Sequence, residues 1–478
     1  MPVGPGVDSR SLGSRRLICC VLTGVVPLAS AHYANGQVPV ATVARRPLGR
    51  DVPVYQPAPG DPERREAPSF QNPTGTVSLR DAVALALLHN PGLAAFAWET
   101  RAREARMLQA GRPPNPTLSV LAEDIGASRL TGRTLDEPVQ PQTTIQLSQV
   151  IELGGKRAAR SQLATLDRDL AAWDYETARI NVLTEVSRAF TDVLAAQETV
   201  ALAEETSRLV EQVQQSVGAR VVAGVVSPIE ETRATVALAT VRVESARARR
   251  ALEASRARLA LLWGSPMPAF TGVGGDLKAE PAPLPSISDL TARIEHSPEI
   301  ARWAAEMSQR QAAFAVERSK RVPDVSVAAG YRRYTYIDSN AFLVEASIPL
   351  PFFDRNRGGI EEARNRLAKA HEERRAVQAR VAAALADAYA ALASAHDEVT
   401  ALRSAMLPGS RQTFEAVSEG YRLGKFGYLD VLDAQRTLIS AGSQYLRALS
   451  DYHKAAANVE RLIGAPLAGS TDLPATAK

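Results

Sequence analysis

The sequence predicts a mainly α-helical protein with a small β part, built from one helix–strand–strand–long helical hairpin unit used twice. Three observations predict it. Runs of up to 62 residues contain neither glycine nor proline. Short segments of alternating polarity stand between the helical stretches. The chain also repeats itself once. Asn90-Pro91 returns as Ser297-Pro298, and Pro116-Thr117-Leu118-Ser119-Val120 returns as Pro323-Asp324-Val325-Ser326-Val327, each 207 residues later. Ala223-Gly224 matches Leu423-Gly424, and Leu262-Trp263-Gly264-Ser265-Pro266 matches Leu462-Ile463-Gly464-Ala465-Pro466, each 200 residues later. Widely spaced matches with so little drift indicate a tandem duplication, with the Gly/Pro-rich stretch 264–285 as its seam.

In chain order, residues 1–31 read as an export signal. Arg10, Arg15 and Arg16 precede an apolar run at 17–28, and Ala29-Ser30-Ala31 has the small-x-small form of a cleavage site. The run is too short for a membrane span, which needs roughly 20 residues. Cys19 and Cys20 both lie in it and lack the triplet that precedes a lipidated cysteine. A mature chain starting near His32 therefore has no cysteine, which removes disulfides, thiol catalysis and cysteine-ligated zinc. Without the signal, 53 basic residues face 51 acidic ones, which gives no footprint for nucleic acid.

Residues 32–76 are rich in proline and mixed charge and read as a flexible or extended arm. The first repeat occupies 77–266, the second 286–466, and 467–478 form a tail. Each repeat opens with a short helix (79–89; 287–296) ended by Asn-Pro or Ser-Pro, because the residue before proline disfavours helix. A second helix runs to Gly111 or Val322. Two extended segments follow, near 117–123 and 143–150, then near 324–334 and 341–349. In the last of these, Phe342, Val344, Ala346 and Ile348 alternate with Glu345 and Ser347.

The long helices come next. Residues 156–217 and 229–263 carry no breaker, and 360–407 is continuous until Pro408-Gly409 interrupts it before 429–463. Leu163, Leu166, Leu170 and Trp173 alternate steps of three and four, the spacing of a coiled-coil seam. Alanine fills ten of the seventeen positions 379–395, so helices can approach closely. Aromatic residues make up only 5% of the chain, fewer than a compact enzyme core would use. An average globular helix has about eleven residues, so these lengths point to a rod or tube.

Four strands cannot close a barrel alone, since single-chain membrane barrels start at about eight. Left open they expose edges, so they must pair with copies from other chains. Tyr331, Tyr334, Tyr336 and Phe342 would suit a membrane-interface belt. The strands do not set the copy number.

Three further motifs carry a resemblance. They are Gln109-Ala110-Gly111-Arg112-Pro113-Pro114-Asn115-Pro116, Leu147-Ser148-Gln149-Val150-Ile151-Glu152-Leu153-Gly154-Gly155-Lys156-Arg157, and Gly420-Tyr421-Arg422-Leu423-Gly424 with Tyr428-Leu429-Asp430-Val431-Leu432-Asp433-Ala434-Gln435. With the duplication, the region 76–466 resembles the TolC family of outer-membrane efflux channels, within it the CzcC-like heavy-metal branch. The resemblance implies a homotrimer whose twelve strands close one β-barrel that continues into an α-helical barrel in the periplasm. It also implies outer-membrane lipid around the strands, a periplasmic adaptor (membrane-fusion protein) and an inner-membrane RND pump as partners, and passive conduction of heavy-metal cations.

The resemblance places adaptor docking at the two hairpin turns, with Arg220, Val222 and Gly224 in the first and Leu423 and Gly424 in the second. Glycine allows each chain reversal. Asp430 and Asp433 share one helix face and match acids of the family's periplasmic gate. Three copies would stack two rings of carboxylates, which attract cations. The alternative is that both acids merely cap the helix. Glu230 matches a family acid that pairs with a tyrosine, here Tyr421, to hold the tip closed. Phe426 departs from the family pattern, where an arginine helps lock the gate.

Nothing in the sequence suggests catalysis, a cofactor or a resident metal. Gly154-Gly155-Lys156-Arg157 lacks the first glycine and the Ser/Thr of a phosphate loop and reads instead as the turn from strand into helix. His32, His89, His296, His371, His396 and His453 form no close ligand pair. The competing class is a soluble periplasmic adaptor or coiled-coil scaffold, which would carry one helical hairpin rather than a duplicated unit. A periplasmic hydrolase lacks any supporting constellation.

Overall fold

The computed structural model describes residues 42–45, 51–54, 72–125, 141–279, 283–295, 297–335 and 338–467. The export signal, most of the Pro-rich arm, His296, Tyr336 and the tail beyond residue 467 lie outside the described residues. The chain divides into two units, 1–71 and 72–478. Within the first, β1 (Thr42–Arg45) and β2 (Asp51–Val54) pair antiparallel, two strands that the reading of the arm did not place.

The second unit begins with β3 (Gly75–Ser78), α1 (Leu79–His89) and α2 (Pro91–Ala110). Then come β4 (Thr117–Glu123), β5 (Gln142–Ile151), α3 (Lys156–Val222) and α4 (Pro228–Leu261). After β6 (Phe270–Gly274) the pattern returns as α5 (Ile287–Ile294), α6 (Pro298–Ser319), β7 (Val325–Tyr334), β8 (Ser339–Ser347), α7 (Arg357–Ala401), α8 (Leu407–Arg422) and α9 (Tyr428–Ile463). At 67 residues, α3 is about 100 Å long for a rise of 1.5 Å per residue.

Pro408-Gly409 does not break the second long helix as the sequence reading expected. A π-helical turn, Leu402–Met406, joins α7 to α8, and Pro408 sits in the first turn of α8. Proline lacks an N–H and its ring clashes with the carbonyl four residues back, and one widened turn absorbs both defects without ending the rod.

The repeated dipeptides meet the repeated helix ends in space. Asn90 caps α2 by accepting from the Leu93 N–H at 2.9 Å, and its amide donates to the Leu262 carbonyl at the end of α4 at 2.8 Å. Gly464 ends α9 with φ +68°, and a Cβ there would stand 2.8 Å from Pro298 Cδ at the start of α6. So α4 abuts α2 and α9 abuts α6, and α2 packs along α3 while α6 packs along both α3 and α7.

The buried positions of α7, Ala363, Ala370, Val377, Val381, Leu385, Ala388, Leu392, Ala395 and Val399, keep steps of three, four and seven. That is a left-handed seam in which alanine shares the buried positions with valine and leucine. In α3 the seam differs from the expected one. Leu163, Leu166, Leu170 and Trp173 are only half-buried, while Ala164 and Ala171 are buried. Neighbouring helices contact the smaller side chains, and the larger ones flank them.

The seam stretch 264–285 holds β6, which pairs parallel with β3. The Gln197 side chain of α3 clamps this small sheet, donating to the Val273 carbonyl at 3.0 Å and accepting from the Val273 N–H at 2.7 Å. The main sheet has the order β4-β5-β7-β8, all antiparallel, so the β4–β5 and β7–β8 hairpins join through β5 and β7. β4 and β8 are its edges. No described helix is long and apolar enough to cross a membrane.

Candidate functional site: a two-faced sheet and a helical tip

The strand register sorts the sheet into two faces. Leu118, Val120, Ile145, Leu147, Val327, Ala329, Tyr331, Phe342, Val344 and Ala346 share one, because each stands opposite another of the set across a ladder. Most are exposed, Phe342 at 88% and Val344 at 85%. The other face carries Thr144, Gln146, Arg332 and Glu345. Gln146 donates to Glu345 at 3.1 Å, and Arg332 donates to the Thr144 hydroxyl at 2.9 Å. A sheet whose apolar face is open and whose polar face bonds to itself has the pattern of a membrane barrel wall. Tyr331 and Phe342 meet edge to face at 6.0 Å. Tyr334 does not join them as the proposed belt required, because an odd step along a strand puts it on the polar face.

The sheet joins the rods through a polar knot that the sequence reading did not assign. Arg160 of α3 grips Glu152 through both terminal nitrogens, at 2.6 and 3.1 Å, and donates to the Ala110 and Arg112 carbonyls. Lys156 pairs with Asp324 at 2.7 Å, and Asp324 also accepts from the Leu153 N–H. The hydrogen bond from Arg160 holds the Glu152 carboxyl below its ordinary value. Gly154 and Gly155 turn strand into helix with φ +68° and +71°. The quoted motifs at 109–116 and 147–157 thus meet here, a juxtaposition that the long gap between them concealed.

At the far end the two hairpin turns have matching backbones. Gly224 and Gly424 take φ +69° and +73°, and the N–H two residues before each following cap closes the turn: Val225 donates to the Arg220 carbonyl at 2.9 Å, and Lys425 to Gly420 at 2.7 Å. Val222 and Leu423 are exposed beside them.

Between the turns, three sequence-predicted residues come together. The Arg220 guanidinium lies 4.4 Å from the Tyr421 ring centre and donates to the Tyr421 carbonyl at 2.7 Å. The Tyr421 hydroxyl reaches Glu230 at 3.5 Å, the outer limit of a hydrogen bond. Tyr421 and Tyr428 are buried with ring centres 6.1 Å apart, over Val217, Phe414 and Val431. Burial pushes the Tyr428 phenol up to about 12, helped by Tyr421 and Glu230, and raises that of Tyr421 against the pull of Arg220.

The two aspartates are exposed on the first turns of α9, and they differ in their surroundings. The Asp430 carboxylate accepts from the Gly427 N–H at 2.8 Å and so caps the helix. Asp433 borders a groove of about 780 Å³ between α4 and α9, with Arg233 and Arg436 on its walls. Phe426 finds its place through Gly420. A Cβ on Gly420 would stand 2.2 Å from the Phe426 ring, so only glycine lets the ring rest on the helix backbone. A glycine inside a helix was the available sequence signal.

The protein-family model for outer membrane efflux protein matches residues 82–265 and 291–465. The cobalt-zinc-cadmium resistance protein CzcC of Cupriavidus metallidurans is 37% identical over 424 residues, 87% of this chain and 98% of that one. The nickel-cobalt-cadmium resistance protein NccC of Alcaligenes xylosoxydans xylosoxydans is 30% identical over 72% of this chain and 73% of that one. A membrane protein from Pseudomonas aeruginosa has the same fold, with TM-score 0.69 and 22% identity over 84% of this chain and 97% of that one. With an exposed apolar sheet joined to rods about 100 Å long, and a family match over both halves, the chain belongs to the outer membrane efflux protein family and serves at the outer membrane as a non-enzymatic efflux channel.

Proposed function

We propose that the chain is the outer-membrane duct of a tripartite heavy-metal efflux system, in which three copies close a twelve-stranded barrel above a helical tunnel. The sheet carries this reading. Its apolar face is exposed, and its edges β4 and β8 have no partner strand among the described residues. A copy seated edge to edge satisfies those backbone groups in lipid, where no water can. A periplasmic adaptor and an RND pump deliver the cargo. Divalent metal cations are the proposed cargo, because the matched relatives are cobalt-zinc-cadmium and nickel-cobalt-cadmium resistance proteins.

The hairpin tips form the periplasmic end. Arg220, Val222, Gly224, Leu423 and Gly424 meet the adaptor, and Tyr421 with Glu230 ties the two hairpins of one copy. Asp430 and Asp433 form the acidic constriction. Phe426 on Gly420 supplies packing where the family pattern has an arginine.

The test combines assembly with transport. In a host that holds a cognate adaptor and pump but lacks its own duct, the chain should restore tolerance to cobalt, zinc or cadmium. The detergent-extracted complex should have the mass of three chains. A stable water-soluble monomer, or an assembled complex that restores tolerance to none of these metals, overturns the proposal.

A further inference from the structure

The two sheet-to-helix joints are built differently, and the difference lies in apolar exposure. In the first repeat only Glu152 and Leu153 separate β5 from Gly154-Gly155, and the neighbouring cations Lys156 and Arg160 are engaged by Asp324 and Glu152. In the second repeat, β8 runs into Ile348-Pro349-Leu350-Pro351-Phe352-Phe353-Asp354-Arg355-Asn356-Arg357. Leu350 and Phe352 are exposed, and Phe353 is exposed at 102%. Arg355 donates to the Pro351 carbonyl at 3.1 Å, Asp354 accepts from the Asn356 N–H at 2.8 Å, and neither Arg355 nor Arg357 joins an ion pair among the described residues.

We propose that this β8–α7 loop is a lipid anchor: Phe352 and Phe353 enter the periplasmic leaflet of the outer membrane, and Arg355 and Arg357 bind its phospholipid phosphates. The inference rests on the sheet forming a membrane barrel wall, and three arguments carry it. First, the exposed apolar series Phe342, Val344, Ala346, Ile348, Leu350 keeps its two-residue step past the end of the strand, so the loop continues the lipid face. Second, from Phe342 to Leu350, before the turn, an extended chain covers about 26 Å at 3.3 Å per residue. At a strand tilt of 35–45° that is about 19–22 Å along the membrane normal, most of the ~25 Å height of a barrel's apolar band, and the turn adds the remaining few residues. The two rings therefore fall at its lower border, where aromatic side chains sit and where guanidinium groups one or two residues on reach phosphates.

Third, a neighbouring copy is a poor occupant. Pairing at β8 uses backbone groups in the plane of the sheet and leaves the perpendicular side chains uncovered. Pro349 and Pro351 have no N–H, so the ladder cannot extend to the loop. A bond from the Phe352 N–H to the Leu350 carbonyl, at 2.9 Å, closes a tight turn around Pro351 instead. Phospholipid is the occupant that matches both the rings and the unpaired cations.

The test uses the full chain with Cys19→Ala and Cys20→Ala, reconstituted in vesicles of phosphatidylethanolamine and phosphatidylglycerol. A single nitroxide is carried on Phe353→Cys, Phe342→Cys or Val225→Cys, and Phe352→Cys replaces the first if that variant does not assemble. Accessibility to oxygen, which concentrates in lipid, is compared with accessibility to a water-soluble nickel chelate. Position 342 should report lipid and position 225 water. Position 353 should favour oxygen several-fold over 225, at shallower depth than 342, and Arg355→Glu with Arg357→Glu should shift it toward water. A water-like profile at 353 overturns the anchor, and so does exclusion of both probes, which would mark a protein neighbour. If 342 also reports water, the barrel reading itself falls.

Discussion

Gly154 and Gly155 are adjacent, both hold positive φ, and they differ in what surrounds them, so alanine at each separates backbone strain from steric conflict. At Gly155 (φ +71°) an added Cβ meets nothing within 4 Å. Gly155→Ala should therefore cost only the left-handed conformation, about 1–2 kcal/mol. At Gly154 (φ +68°) the Cβ would stand 2.7 Å from Val322 Cβ and 3.1 Å from the Ser319 carbonyl oxygen, where carbon pairs prefer about 3.5–4.0 Å. Overpacking adds about 1–3 kcal/mol, so Gly154→Ala should cost about 2–5 kcal/mol. Val322→Ala should not rescue it, because alanine keeps the offending Cβ and the Ser319 carbonyl does not move away. The assay is urea unfolding of the detergent-solubilised protein followed by helical circular dichroism, with proteolysis of the joint as a local readout. Equal losses at the two positions would refute the reasoning, as would full rescue of Gly154→Ala by Val322→Ala.

Four other outcomes follow from the same geometry. The raised Tyr421 and Tyr428 phenols make the tip more stable below the ordinary tyrosine value near 10, and that stability is lost as pH rises toward about 12, so phenolate absorbance and tip proteolysis should rise together there and Tyr428→Phe should blunt both. Glu152, held below its ordinary 4.5, contributes stability that is present above that value and lost as pH falls through the lowered one, so acid should loosen the wild-type joint, while Glu152→Gln should be weaker at neutral pH and keep only the smaller acid loss that belongs to Asp324, which against burial the Lys156 and Leu153 hydrogen bonds hold low, as joint proteolysis reads. Gly420→Ala unseats the Phe426 ring, so it and Phe426→Ala should each raise resting conductance in planar bilayers, and the double variant should raise it no further. Asp430→Ala should remove a cap, costing about 0.5–2 kcal/mol of helix stability, whereas Asp430→Asn with Asp433→Asn should keep the fold and lower cation preference in single-channel recording.

Much of the fold is legible in the sequence, because local rules govern it. The long helices need only the absence of breakers and a step of three and four, and the strands need only alternation. Their bounds in the structure lie close to those read from residues 117–123, 229–263 and 429–463. The hairpin turns are equally local, since Gly224 and Gly424 close them within a few residues.

What the tertiary structure decided depends on partners far apart in the chain. Arg160 meets Glu152 beside the carbonyls of 110 and 112, and Lys156 crosses 168 residues to Asp324, a pairing that no spacing rule announces. The seam of α3 settles on Ala164 and Ala171 because neighbouring rods compete for closest approach, and an isolated helix presents no such competition. Pro408 reads as a stop, yet tertiary packing on both sides holds the rod together and one π turn takes up the defect. β3 and β6 are too short and glycine-rich to announce themselves and become strands only against each other and Gln197. Local periodicity is written into each segment, whereas the joint, the seam and the seat of Phe426 exist only once distant segments compete for the same space.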